Sequence, residues 1–372
     1  MKKVAVLGVG LVGKAIALDM KRRCYDVVAI DKDKSALTGV ADCAATIEAD
    51  LSNAEIVRNN IADVDLVILA VPGFMGYETL KTIIQAGKNV VDISFFKEDC
   101  RLLNGLAKQK GVIAVTDCGV APGMSNIILG YHNAKAEIES FECLVGGLPT
   151  TRYWPFQYKA PFSPIDVIEE YLRPARYIKD GKLIEAPAMS DAEFIDFDKI
   201  GTLEAFLTDG LRSLLAMKIP NMRERTLRYP GHIGLIKIFK TLGFFGENAI
   251  TIGNKKVRPI DVTSRLLLND WKSSPSEDEF TVMRIVIVER TGREIIYNLF
   301  DRYDSETGLS SMARTTGFVA TAVANLILSG KFKSAGISPP EKVGAYQDCF
   351  KIIMNDLKER GVIYQVSETP HK

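Results

Sequence analysis

Three glycines and a carboxylate near the start of the chain have the spacing needed to grip a dinucleotide. Gly8-Val9-Gly10-Leu11-Val12-Gly13 follows an apolar strand, Val4–Leu7, and opens an amphipathic helix; a second apolar strand, Val27–Ile30, ends on Asp31. Gly8 suits the tight turn, Gly10 lets the backbone approach a pyrophosphate, and Gly13 lets helix and strand pack closely. The helix start, with Leu11 and Val12 in its first turn, presents amides that have no intrahelical partner and a partial positive charge. Asp31, about twenty residues on, is placed to accept hydrogen bonds from the adenosine ribose. It favours NAD, because a 2′-phosphate would meet a carboxylate, while Lys32 and Lys34 leave some room for NADP. A glycine turn alone is a weak signal, but strand, turn, helix, strand and acid in this order make a strong one.

Two further stretches could carry chemistry. Asp117 to Asn126, DCGVAPGMSN, stands where a strand gives way to a helix. Asp117 could orient a substrate amine or take part in proton transfer; it could equally cap a helix at a domain crossover, and spacing does not choose. Leu203 to His232 holds Arg212, Thr226, Arg228 and His232. A guanidinium in a cleft suits bidentate capture of a carboxylate, although most arginines are solvated surface groups. His232 could be a general base with a near-neutral pKa, or a structural residue after Pro230-Gly231. The six cysteines are scattered without a CxxC pair, and the three histidines lack metal-site spacing, so reduced thiols and no metal are expected.

These groups need a scaffold. After Asp31 the β/α alternation continues through Cys43–Ile47, Val64–Val71, Asn89–Ile93 and Val112–Thr116, which predicts a doubly wound parallel sheet. Ligands in such sheets bind outside the carboxyl ends of the strands, which singles out Val71-Pro72, Ser94-Phe95 and Asp117. From about residue 125 the pattern changes: a strand Ser140–Val145 closed by Gly146-Gly147, a Pro- and aromatic-rich loop from Tyr153 to Pro164, and a hairpin of Thr281–Glu289 with Glu294–Tyr303. The expected organisation is an α/β Rossmann domain over 1–124 and an α+β catalytic and dimerisation domain with a mixed or antiparallel sheet over 125–308. The segment from about 309 to 372, with its small-residue helix Ser311–Leu328, is expected to pack back on the first domain.

Bulk properties exclude several classes. With 372 residues, 47% hydrophobic and 25% charged, the chain can bury a sizeable core. A net charge of +1 gives no global field for nucleic acid or anionic membrane. No apolar run spans a bilayer without charges, and the N-terminal apolar run reads as the first strand, not a signal peptide; a cytoplasmic protein is expected.

With these residues in view, the chain resembles the saccharopine dehydrogenase-like superfamily, and within it the lysine 6-dehydrogenases. The matching pieces are the Gly8–Gly13 turn, Asp117-Cys-Gly-Val-Ala-Pro-Gly-Met124, Val145-Gly-Gly-Leu-Pro149, Leu203-Glu-Ala-Phe206, Thr226-Leu-Arg-Tyr229 with Gly231-His232, Met312-Ala-Arg-Thr-Thr316 and Ser338-Pro-Pro340. The resemblance implies a homodimer in which Gly8, Gly10, Gly13 and Asp31 hold NAD, Asp50 and Ser52 lie near the adenine, and Val71, Pro72 and Ser94 line the dinucleotide pocket. It also implies Arg212 and Thr226 as substrate ligands and Phe162 as an aromatic contact. One departure is informative: saccharopine reductases carry an Asp before the Pro-Gly where this chain has Ala121, which points to a smaller or less cationic ligand than saccharopine.

The resulting expectation is NAD-dependent oxidative deamination of the lysine ε-amine to an aldehyde and ammonia. Asp117, aided by His232, would deprotonate the ammonium, and Arg212 or Arg228 with Thr226 would anchor the amino-acid end. The alternatives are a dehydrogenase that forms or cleaves a secondary amine, of the saccharopine or carboxynorspermidine type, and a non-catalytic NAD-sensing protein.

Overall fold

The computed structural model describes residues 1–160, 164–272 and 277–369. The chain opens with β1 (Lys3–Leu7), β2 (Asp26–Asp31), β3 (Ala45–Glu48), β4 (Leu66–Leu69), β5 (Asn89–Asp92) and β6 (Ile113–Val115). There follow β7 (Ile138–Pro149), β8 (Ala175–Lys179), β9 (Lys182–Ala186), β10 (Glu193–Phe197), β11 (Gly201–Leu207) and β12 (Asn221–Arg228). The remaining strands are β13 (Ile250–Ile252), β14 (Lys255–Val257), β15 (Glu279–Glu289), β16 (Glu294–Arg302), β17 (Gly336–Ser338) and β18 (Tyr364–Glu368). The chain divides into one unit of Met1–Glu139, Ile287–Leu299 and Met312–Lys372, and another of Ser140–Val286 and Phe300–Ser311.

In the first unit, seven strands among the described residues form a parallel sheet in the order β17-β6-β5-β4-β1-β2-β3. Residues Val4–Leu7 and Leu66–Leu69 are wholly buried, as strands covered on both faces must be. The chain lays β2 and β3 on one side of β1 and then returns to lay β4 on the other, so the boundary between β1 and β4 is the topological switch point. The helix Leu11–Arg22 buries Gly13, Ile16, Ala17 and Met20 and ends with Lys21 and Arg22, whose charges suit its C-terminus. Buried Asp19 of that helix accepts hydrogen bonds from Arg23 at 3.0 Å, from Thr321 at 2.5 Å and from Arg360. Helix Ser311–Leu328 packs here: a Cβ on Gly317 would stand 3.2 Å from Ile16.

In the second unit the strands are mixed in direction, in the order β10-β11-β12-β7-β15, with β8 also paired to β12 and to β9. Strand β12 runs parallel to β7 and antiparallel to β11. Its core gathers Leu144, Phe156, Tyr158, Tyr171, Phe206, Leu227 and Trp271.

Two expectations change. The division falls after Glu139, not after residue 124, and Ile287–Leu299 joins the first unit. The cause is backbone contact: helix Met124–Asn133 lies so close to Pro340–Gly344 that a Cβ on Gly130 would meet the Glu341 carbonyl at 2.0 Å. Second, Gly146 and Gly147 do not close β7 but continue it to Pro149. Gly146 is small because β12 presses against it, with the Leu227 carbonyl 2.7 Å from the position of a Cβ.

Candidate active site

The glycine turn sits at the switch point. Gly8 has φ +90° and its amide donates to the Ile30 carbonyl at 2.9 Å, while a Cβ there would strike the Ala70 carbonyl at 2.5 Å. A Cβ on Gly13 would fall 2.0 Å from the Gly8 carbonyl, so the helix can sit against the turn only without a side chain there. Gly10 differs: its Cβ position has no protein atom within 4 Å. The chain needs a glycine at 8 and 13 for itself, and its own packing does not require one at 10. Open space beside Gly10 at a helix N-terminus fits a pyrophosphate. Leu11 is half exposed at the mouth of the turn, and Val12 is partly buried.

Asp31 ends β2 beside this turn. One carboxylate oxygen accepts the Val9 amide at 2.6 Å and the other the Asp33 amide at 2.9 Å. Each oxygen retains lone-pair capacity for a ribose hydroxyl. Asp50 accepts the Ser52 amide at 3.0 Å in an exposed turn just past β3, which holds its carboxyl below the usual carboxylate range. Val71 is buried beside Gly8, and Pro72 caps helix Gly73–Gln85. Ser94 follows β5 and is buried; its hydroxyl has no hydrogen-bond partner among the described residues. Phe95 is partly buried next to it.

Asp117 stands just beyond β6 at φ +55° and is 6% exposed. The following loop is tightly made: Gly119 donates to the Pro122 carbonyl at 3.1 Å, Met124 to the Gly119 carbonyl at 2.9 Å, and Gly123 to the Asn126 side chain at 3.2 Å. The Ala121–Pro122 peptide in it is cis. Cys118 is fully buried, and burial together with the Asp92 and Asp117 carboxylates drives its thiol far above the ordinary range, so it is an inert thiol. Asp117, Ser94 and Val71 therefore end β6, β5 and β4 on the carboxyl edge that carries the glycine turn.

The second unit contains a polar face where a core strand should be apolar. Alternate residues of β12, Glu224, Thr226 and Arg228, are all buried. Thr208 donates to Glu224 at 2.6 Å and its hydroxyl lies 2.7 Å from that of Thr226. Burial pushes the Glu224 carboxyl up to about 8, a rise moderated by the Thr208 hydrogen bond. Glu170 is likewise pushed up by burial, to about 7, against the opposing pull of Arg228. Arg228 donates to Tyr171 at 3.0 Å, to Glu170 at 3.2 Å, to Tyr158 at 3.4 Å and to the Leu227 carbonyl at 2.9 Å.

That network corrects two expected roles. Four of the five Arg228 N–H groups are committed, so a bidentate grip on a substrate carboxylate is not open to it. His232 is 1% exposed, with one ring nitrogen 2.8 Å from the Phe156 carbonyl and the other 2.9 Å from the Tyr171 hydroxyl. The carbonyl can only accept, so Nδ1 carries the proton and Nε2 accepts from Tyr171. Burial and the neighbouring Arg228 lower its pKa to about 3, leaving a neutral structural imidazole in place of a general base. Arg212, the other expected anchor, is partly exposed at φ +51° and opens a 3₁₀ turn, Arg212–Ala216. Nearby Arg176 makes a bidentate pair with buried Asp209, both contacts 2.8 Å. Phe162 lies outside the described residues. Among the described residues no group of His, Cys, Asp and Glu is placed to hold a metal ion, and no helix is long and apolar enough to cross a membrane.

Comparison with known proteins accounts for both units. The family model for the saccharopine dehydrogenase NADP binding domain matches residues 4–115, and that for the saccharopine dehydrogenase C-terminal domain matches residues 119–362. The chain belongs to the saccharopine dehydrogenase family. Among curated relatives of the family, alpha-aminoadipic semialdehyde synthase of Arabidopsis thaliana is 25% identical over 58% of this chain and 22% of its own length. The L-glutamate-forming, NADP-dependent saccharopine dehydrogenase of Schizosaccharomyces pombe is 25% identical over 67% of this chain and 59% of its own. The chain spans between 22% and 48% of the synthases it matches. The apo L-glutamate-forming saccharopine dehydrogenase of Saccharomyces cerevisiae superposes with a TM-score of 0.80 at 19% identity, covering all of both chains, which establishes the family fold.

Sequence reading missed Glu170, Thr208 and Glu224. A signal for Glu224 was present: Glu224, Thr226 and Arg228 recur with period two on a strand, so all three must share one face. Glu170 carries no comparable mark, since an acidic residue in a helix is ordinarily solvated.

Proposed function

We propose that this protein catalyses NAD-dependent oxidative deamination of the ε-amine of L-lysine. In the balanced reaction, lysine, NAD⁺ and water give the ε-aldehyde, NADH, ammonium and one proton. The observation that carries this reading is Asp117, a nearly buried carboxylate on the same sheet edge as the glycine turn, with Ala121 rather than a second acid in the loop that follows. Gly8, Gly10, Gly13 and the first turn of helix Leu11–Arg22 would hold the pyrophosphate, and Asp31 the ribose. Bound NAD supplies the hydride acceptor. The carboxylate at Asp31 favours NAD over NADP, although one matched family model and the fission-yeast relative carry NADP in their names.

The chain's own residues have three tasks. An alkyl ammonium has a pKa of about 10.4, so its proton must leave before hydride can depart from carbon. Asp117 binds the ammonium and takes that proton. Ser94, whose hydroxyl has no partner of its own among the described residues, offers a hydrogen bond at the same edge. Arg212 and Thr226 offer a guanidinium and a hydroxyl to the amino-acid end.

A second reading is favoured by the names of the relatives, which include the carboxyaminopropylagmatine dehydrogenase of a Synechocystis strain, 21% identical over 63% of this chain. It would form or cleave a secondary amine and release no ammonia. Purified protein should reduce NAD with L-lysine faster than with ornithine, saccharopine or diamines, and release one ammonia per NADH. Reduction of NAD or NADP by saccharopine without ammonia would establish the second reading in place of the first.

A further inference from the structure

The hydroxyls of Thr208 and Thr226 and the carboxyl of Glu224 form a hydrogen-bonded chain of three, with links of 2.6 and 2.7 Å, all buried. Each hydroxyl has one proton, so the chain must point in one direction. When Glu224 is ionised it can only accept: Thr208 donates to it, Thr226 donates to Thr208, and lone pairs on Thr226 face outward. When Glu224 is protonated its O–H can donate to Thr208, the chain can run the other way, and Thr226 can then donate outward. We infer that Glu224 is a positioning residue that sets this direction and so decides whether Thr226 offers a donor or an acceptor to the carboxylate end of the substrate. The inference rests on the proposed placement of the amino-acid end against Thr226.

The site is built around that carboxyl. Gly210 leaves room for it, since a Cβ there would stand 2.4 Å from its atoms. The charged groups around it are Glu170 from helix Pro164–Leu172, whose partner is Arg228, and Asp209 after β11, whose partner is Arg176 of β8. Arg212 is a charged neighbour of Arg176. Burial first, and then the nearby acids Glu170 and Asp209, oppose ionisation of Glu224 and raise its carboxyl to about 8.

A substrate carboxylate is an acceptor, so it binds well only while Thr226 donates. The KM for L-lysine of the intact protein should rise about tenfold between pH 7 and pH 9, the size of one lost hydrogen bond to a charged group. In Glu224→Gln the amide can donate to Thr208 at every pH, so KM should stay low and flat across that range. Thr208→Val breaks the chain and leaves the Thr226 hydroxyl free to donate outward at every pH, so KM should be low and flat, while Thr208→Ser restores the wild-type slope. A Glu224→Gln protein whose KM still climbs with pH as the wild type does overturns the inference.

A readout that needs no turnover separates this from the function itself. The carboxyl ¹³C resonance of Glu224 in labelled wild-type protein should titrate, and its midpoint should move upward in Thr208→Val and return in Thr208→Ser. An unmoved midpoint overturns the inference whatever the substrate. Absence of lysine turnover with a midpoint that moves as stated removes the proposed function and leaves the chain as described.

Discussion

The Val9 amide donates to the Asp31 carboxylate across 2.6 Å, so the residue placed to meet the ribose also ties the glycine turn to the end of β2. Asp31→Ala removes both roles. NADH affinity should fall at least about tenfold, the worth of a hydrogen bond to a charged group, and the preference over NADPH should shrink. Fluorescence titration with the two reduced cofactors measures both.

Gly10 and Gly13 separate cofactor binding from folding. In Gly13→Ala the new Cβ would overlap the Gly8 carbonyl, and overpacking of this kind costs about 1–3 kcal/mol, so Tm should drop. In Gly10→Ala the Cβ enters open space, so Tm should hold while NADH affinity falls. Thermal melts with and without NADH, run on both variants, distinguish the two effects.

Asp117→Asn should lower kcat for lysine more than tenfold, about 1.4 kcal/mol or more in barrier, while NADH affinity stays near wild type. Steady-state kinetics with cofactor titration checks it. Activity within tenfold of wild type assigns the proton to another group.

Two buried groups make opposite contributions to stability with pH. His232 has a folded pKa lowered to about 3, so its share of stability is complete above the ordinary histidine pKa of 6.5 and is lost as pH falls from there. Its imidazole carbon resonance should show no titration between pH 5 and 8.

Glu224 runs the other way. Its folded pKa is raised to about 8 from 4.5, so its share is complete below 4.5 and is lost as pH rises through about 8. The wild-type Tm should therefore decline towards pH 9 more steeply than that of Glu224→Gln. Melting curves across pH 5–9 decide it.

The parallel sheet was legible because its signals are local. Val4–Leu7 and Leu66–Leu69 are continuous apolar runs, and the glycine turn has a fixed spacing to Asp31. The limits of Gly146–Pro149 were not, since a glycine that admits a neighbouring strand looks the same in sequence as one that turns the chain. Arg228 and His232 misled for a related reason. Their types suit catalysis, but their partners Tyr158, Glu170 and Tyr171 lie 57 to 70 residues away in sequence, and no spacing rule joins them. That Asp117 follows a strand end was legible because the end of a parallel strand is a topological position, readable from alternation alone.

Strand β17 pairs in parallel with β6, Gly336 opposite Ile113 and Ser338 opposite Val115, and becomes the edge of the sheet that β1 begins. During synthesis the ribosome must therefore add more than two hundred residues after Val115 before that edge is covered. Until then β6 offers unpaired amides and carbonyls to any passing strand. The nascent first unit should depend on chaperones for that interval, and a fragment ending near residue 115 would be a poor stand-alone nucleotide binder. Grafting Gly336–Ser338 onto such a fragment through a short linker should recover solubility first and cofactor binding with it.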